Sequence, residues 1–234
     1  MHNASIKLAM IPAIFFATVM TQPIQADTTA GIGFASNDVS RGISQSGDNP
    51  SFFGSIDYIN SDNGLMAGFK GHTLGGMNPY LQFDVYAGIT KSLSENSSFD
   101  VGVLSYQWPD AEKYPAGDPR NIPAHGEEIF AIARYGLFDA TIYHFINTPL
   151  MKNSNYFSVG VTKHFENGVA LGASVGRNNY ANPEITNQDF TSVQANASWK
   201  GFNLVLSKIN RDFAPLNLDK DTKVVLSWEK RFNF

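Results

Sequence analysis

The chain has 234 residues with no cysteine, and its 17 Lys and Arg stand against 21 Asp and Glu. This acidic balance gives no support to nucleic-acid binding, and a chain of this size without cysteine cannot be held by disulfides. With 13% aromatic side chains and 20 glycines, and with no helix-type patterning, the composition points to a single all-β domain.

In chain order, the first segment is MHNASIKLAMIPAIFFATVMTQPIQA. It holds one early cation, Lys7, then an uncharged apolar run from Leu8 to Met20, a polar stretch and Ala26. This is the layout of a secretory signal peptide cleaved after Ala26, because the run is short for a bilayer span. The expected organisation is a signal over 1–26 and a barrel over 27–234. No later stretch is apolar for long enough to be a transmembrane helix.

About twelve segments of alternating polarity follow, at roughly 28–36, 51–60, 64–71, 80–91, 98–108, 126–135, 137–145, 155–165, 168–177, 189–199, 201–209 and 222–234, each bounded by turn residues. Their connections alternate between short (NSDNG, SENSS, Gly136, ENG, KG) and long (such as SNDVSRGISQSGDNP and PDAEKYPAGDPRNIPAHG). Such alternation describes an up-and-down antiparallel meander. Pro50, Pro79, Pro109, Pro115, Pro119, Pro123, Pro149, Pro183 and Pro215 all fall in or beside the long connections. None interrupts a strand, where it would remove a ladder hydrogen bond.

The aromatic residues indicate what the apolar face meets. Tyr58, Phe99, Tyr135, Phe138, Phe165, Trp199 and Phe202 stand beside the short turns, each on the apolar parity of its strand. In a closed cylinder they form one outward ring, as expected for a girdle at a membrane–water interface. Lys91, Lys163 and Lys230 share that parity near the same end, where long side chains can snorkel to headgroups. The chain ends on Trp228, Phe232 and Phe234 of the last strand's apolar face, a pattern that the bacterial outer-membrane assembly machinery commonly recognises.

The opposite parity carries Asp57, Lys70, Asp84, Glu128, Arg134, Asp139, Glu229 and Arg231, together with Asp100, Gln82 and Gln194. Many ionisable groups in a dry core would carry large desolvation penalties, so these residues are expected to line a wet bore. A soluble sandwich or lipocalin-like barrel would instead need the apolar parity inside. The predicted fold is therefore a transmembrane β-barrel of about 12 strands in the bacterial outer membrane, with lipids as its surroundings. Both termini and the short turns would face the periplasm, and the long loops the exterior.

Several stretches resemble the TorF-family porins of proteobacterial outer membranes: SNDVSRGISQSGDNPSFFGSIDY, YLQFDVYAGITKSL, SSFDVGVLSYQWP, GVALGASVGRN and VVLSWEKRF. The most specific piece is RGISQ, with Arg41, Gly42 and Gln45. Family members tend to have an aromatic just before that arginine, whereas Asp38 and Ser40 stand here. The resemblance implies a channel and leaves its cargo open.

The leading functional reading is passive diffusion of small hydrophilic solutes, with selectivity set by the charged lining. The loop carrying Arg41 could fold inward as a constriction or stay outside in solvent. The first alternative is a structural or adhesive barrel whose long loops bind partners, the 109–125 connection above all. A lesser one is a hydrolase built on His144 with Thr141 and Ser158 as hydroxyl neighbours. The stretch NRDFAPLNLDKD has three Asp but lacks the glycine and ligand spacing of a calcium loop. No metal, cofactor or catalytic residue is expected.

Overall fold

The computed structural model describes residues 27–75, 80–111, 125–147, 151–181, 188–212 and 219–234. The expected signal peptide over 1–26 and most of the proline-rich 109–125 connection lie outside the described residues.

Alternation over eight to fourteen residues builds long strands. They are β1 (Asp27–Ala35), β4 (Ser51–Ile59), β5 (Leu65–Thr73), β6 (Leu81–Ser94), β7 (Ser97–Gln107), β8 (His125–Tyr135) and β9 (Phe138–Phe145), then β10 (Asn155–His164), β11 (Val169–Asn179), β12 (Phe190–Trp199), β13 (Phe202–Ile209) and β14 (Lys223–Asn233). Each pairs antiparallel with its neighbours in sequence. β1 closes the cylinder by pairing β4 on one side and β14 on the other. The closing seam runs from Thr29 opposite Asn233 to Ala35 opposite Ser227. At its end, the Phe234 N–H donates to the Thr28 carbonyl at 2.9 Å. The twelve expected strands are the twelve that close, with ends shifted by at most three residues.

The tight turns follow from local chemistry. Between Trp199 and Phe202, Lys200 and Gly201 have φ of 48° and 86°, the pair of positive angles that a two-residue hairpin needs to match strand twist. The expectation did not include β2 (Val39–Ser40) and β3 (Ile43–Ser44), a small hairpin inside the first long connection that forms its own two-stranded sheet.

Parity decides what each face meets. Ile32, Phe52, Ile56, Val85, Ile89, Val103 and Leu226 are exposed on the outside, as is the apolar parity throughout. A continuous apolar wall around a closed sheet is a lipid-facing surface. The soluble alternatives required this parity inside, and the topology excludes them. Inside, the cylinder is divided. At the end bearing the long connections (the loop end), Ile43 packs with a cluster that includes Leu104, Tyr106, Phe130, Phe145, Phe190 and Ile209. At the end bearing the short turns (the turn end), most inward charged residues are partly exposed, although Asp100, Met66 and Ile132 are buried.

Candidate functional site

The first long connection, residues 36–50, crosses the bore. Val39 pairs with Ser44 and Ser40 with Ile43, so Arg41 and Gly42 form the tip, at φ of 50° and 90°. Glycine is required at the second position. A Cβ there would run into Ile209 Cγ2 and lie 3.0 Å from Ser192 Cβ, and the angle itself strains any other residue. Three bonds hold the stem together: Asp38 N–H donates to Ser46 Oγ at 3.0 Å, Ser44 Oγ–H to Asn37 Oδ1 at 2.7 Å, and Gln45 N–H to the Asp38 carbonyl at 2.6 Å. Every residue from Asn37 to Ser46 is buried. Of the two placements the sequence allows for Arg41, the structure has the inward one.

Arg41 docks against the far wall. Its Nη1 and Nη2 donate to the two carboxylate oxygens of Glu128 at 3.1 and 2.7 Å, a planar fork on a planar acceptor. Its guanidinium carbon lies 4.3 Å from the Tyr143 ring centroid and 5.0 Å from those of Phe145 and Tyr156. The two side chains of the pair are 6% and 0% exposed. Removing either partner of such a buried pair strands a charge, at a cost of about 3–5 kcal/mol.

A second tie holds the stem. His72 Nδ1 lies 2.5 Å from Asp38 Oδ2, with Asp84 Oδ2 3.6 Å beyond Nε2. Gln82 donates to Asp84 Oδ1 at 2.7 Å and receives Trp108 Nε1–H at 2.9 Å. At the loop-end rim, on the inward parity of its strand, the Lys223 ammonium joins Asp48 of this connection to Asp219 of the last one, at 2.9 and 2.8 Å. The bond from Lys223 holds the Asp219 carboxyl below its usual value, with help from the Asp221 backbone N–H.

The eight residues expected to line the bore all point inward, but they divide into two groups. Asp84 and Glu128 are sealed beneath the hairpin. Lys70 lies opposite Asp84 in the register, its ammonium 5.4 Å from the Phe53 ring centroid. The other five sit in the turn-end half. Arg134 donates to Asp100 at 2.6 Å and faces Asp139 across the strand pair. Tyr86 O–H donates to Asp57 at 2.8 Å, and Arg231 lies 3.1 Å from Glu229. The expectation of a wet interior along the whole length is corrected here: the loop-end half is dry. Leu104, Tyr106 and Phe130 share the inward parity with the charges. That apolar interruption was the available signal for a plug.

Trp199 lies opposite Phe202, and Tyr135 opposite Phe138. With Tyr58, Phe99 and Phe165 they are exposed on the outer wall near the turn end. Lys163 and Lys230 lie 5.2 and 6.0 Å from the ring centroids of Phe165 and Phe232. On the last strand, Trp228 contacts Phe34, while Phe232 and Phe234 are exposed. The hydrolase arrangement does not form. His144 is on the outer face, bonded to Asn155 at 2.9 Å, whereas Thr141 and Ser158 are on inward-facing parity. The middle of the three-Asp loop lies outside the described residues; Asp212 and Asp219, at its ends, bond Lys220 and Lys223.

Among curated proteins, none matches this sequence. Solved structures do match in fold. The KdgM porin aligns with TM-score 0.54 at 7% identity, over 88% of this chain and 99% of its own. A structure of KdgM with disordered oligogalacturonate gives 0.53 at 7%, over 89% and 99%. OprD of Pseudomonas aeruginosa is looser, 0.42 at 12% over 90% and 67%, and carries no weight. Such low identities establish a shared barrel fold only. Residues 21–215 match a family model described as "Bacterial protein of unknown function (Gcw_chp)", and with most of its length covered the chain belongs to that family.

Proposed function

We propose that the protein is an outer-membrane channel of porin type that passes small hydrophilic solutes passively, with the 36–50 connection closing it. One observation carries this reading: a mixed-charge bore, its lining charges partly exposed toward the short turns, ends on a hairpin supplied by a connection rather than on the barrel wall. Asp57, Arg134, Asp139, Glu229 and Arg231 then line the permeation path, and Lys70, Asp84 and Glu128 line its gated half. Acids outnumber bases in the turn-end ring, where Asp57, Asp100, Asp139 and Glu229 stand against Arg134 and Arg231. This favours neutral or cationic solutes over an acidic oligosaccharide of the kind present in the KdgM complex.

The same proposal includes a cleaved signal over 1–26, periplasmic short turns, a girdle of Tyr58, Phe99, Tyr135, Phe138, Phe165, Trp199 and Phe202, and assembly through the strand ending Trp228, Phe232 and Phe234. The TorF-family assignment belongs to it as well, as does the absence of enzymatic activity. A second reading, a structural barrel whose loops bind partners, draws on the sealed loop-end half. Planar-bilayer recordings separate the two. The channel reading expects sparse or small steps from wild type and larger, frequent steps from Arg41→Ala. Silence from both, with the barrel shown folded by heat-modifiable gel mobility, overturns it in favour of the structural reading.

A further inference from the structure

Glu128, Tyr143, Phe145 and Tyr156 belong to β8, β9 and β10, so the box around the Arg41 guanidinium is built by the wall and merely filled by the hairpin. A carboxylate paired in a fork, with aromatic rings over the cation, is the chemistry that recognises a guanidinium group. Two neighbours add unused polar capacity. Tyr106 is fully buried with its hydroxyl unpartnered among the described residues, two positions along from Leu104, the cross-strand partner of Glu128. Asn178, cross-strand partner of Tyr156, is 1% exposed with neither amide atom partnered. When the hairpin leaves, Glu128 loses its counter-charge against an aromatic wall, a costly state unless another cation replaces Arg41. The more acidic bore leads such a cation toward it.

Deepening the channel reading and resting on it for its consequence, we infer that this box is a recognition site for small guanidinium solutes. Arg41 is its tethered occupant, and a solute that displaces Arg41 unseats the hairpin. Binding to wild type must then compete with the chain's own arginine, so apparent affinity falls by the fraction of molecules with the box free.

Calorimetry with agmatine, a guanidinium on a butylammonium chain, tests the site in detergent-solubilised barrels of verified fold. Arg41→Ala should bind agmatine at least about tenfold more tightly than wild type. The double variant Arg41→Ala with Glu128→Gln should lose about tenfold or more of that affinity. Arg41→Gln, which keeps the tip's bulk, serves if the alanine variant misfolds. A third measurement keeps the tip arginine. Because the chain has no cysteine, Ile43→Cys introduces a single thiol at a position that is 3% exposed, and agmatine should speed its maleimide labelling where equal sodium chloride does not. A folded Arg41 variant that ignores agmatine, binding that is indifferent to Glu128, or labelling that agmatine leaves unchanged overturns the inference. Current through Arg41→Ala without agmatine binding would sink the site and leave the channel standing; binding without current does the reverse.

Discussion

The two halves of the bore are built from the same alternating strands and end in opposite states. At the turn end, Arg231 and Glu229 pair with side chains 46% and 21% exposed, and the carboxylates share hydroxyl and guanidinium partners beside solvent. At the loop end, Arg41 and Glu128 make a pair of the same chemical type with almost no exposure. The difference lies in what surrounds the charges. Inward neighbours near the short turns include Thr90, Thr162 and Asn196; around the Arg41–Glu128 pair they are Tyr106, Phe130, Tyr143 and Phe145. A charge pair among polar, hydrated neighbours tunes the local potential, while the same pair under a hydrophobic lid becomes a clasp whose loss strands a charge.

That contrast fixes an order of effects. Glu128→Gln removes the clasp's acceptor charge and should cost the docked hairpin about 3–5 kcal/mol, read as faster hydrogen exchange across residues 37–46. His72→Gln removes the imidazole that bonds Asp38 of the stem, expected at about 1.5–3 kcal/mol on the same readout. Gly42→Ala combines the strained angle with the collision on Ile209, and about 1–3 kcal/mol of undocking should follow. If any of these three leaves exchange in 37–46 untouched, the clasp is not what holds the hairpin. In the turn-end half the expectation inverts. Arg231→Ala should change stability by no more than about 1 kcal/mol, yet shift the reversal potential toward cations by leaving Glu229 uncompensated. Arg134→Ala should shift it the same way, with Asp100 keeping the Thr90 hydroxyl at 2.6 Å.

The smallest effect concerns the tie through Lys223. Asp219 ionises below its ordinary 3.8 because Lys223 bonds to it. Its contribution is present in full above 3.8 and fades as the pH falls through the depressed value. Acid-induced loosening confined to the last connection, seen as protease sensitivity below that pH, would fit; the same loosening near neutrality would not.

Much of the wall was legible before any coordinates. Period-two alternation and proline placement located all twelve strands, and parity sorted Phe99 and Trp199 outward from Asp100 and Arg134 inward. The Arg41-to-Gln45 stretch stood out as distinctive, but its destination did not. Arg41 and Glu128 are 87 positions apart, and nothing local to either points to the other. The inward aromatic residues of β7 and β8 were visible yet unread, because a row of charges on the same parity suggested water along the full length. The histidine-centred site failed for a simpler reason: Thr141 and Ser158 are odd-numbered steps from His144 across or along the ladder, which puts them on the other face.

By itself the sequence determined the sheet, because alternation at a period of two is a local property that each strand carries within itself, and an outward apolar parity can be satisfied only by closing the cylinder in lipid. Whether the interior is open or shut was decided by tertiary structure alone. A connection folds inward when the far wall offers a partner for its buried charge and apolar neighbours for its tip, and those partners exist only after the barrel has brought β8, β9, β10 and β13 around to face it.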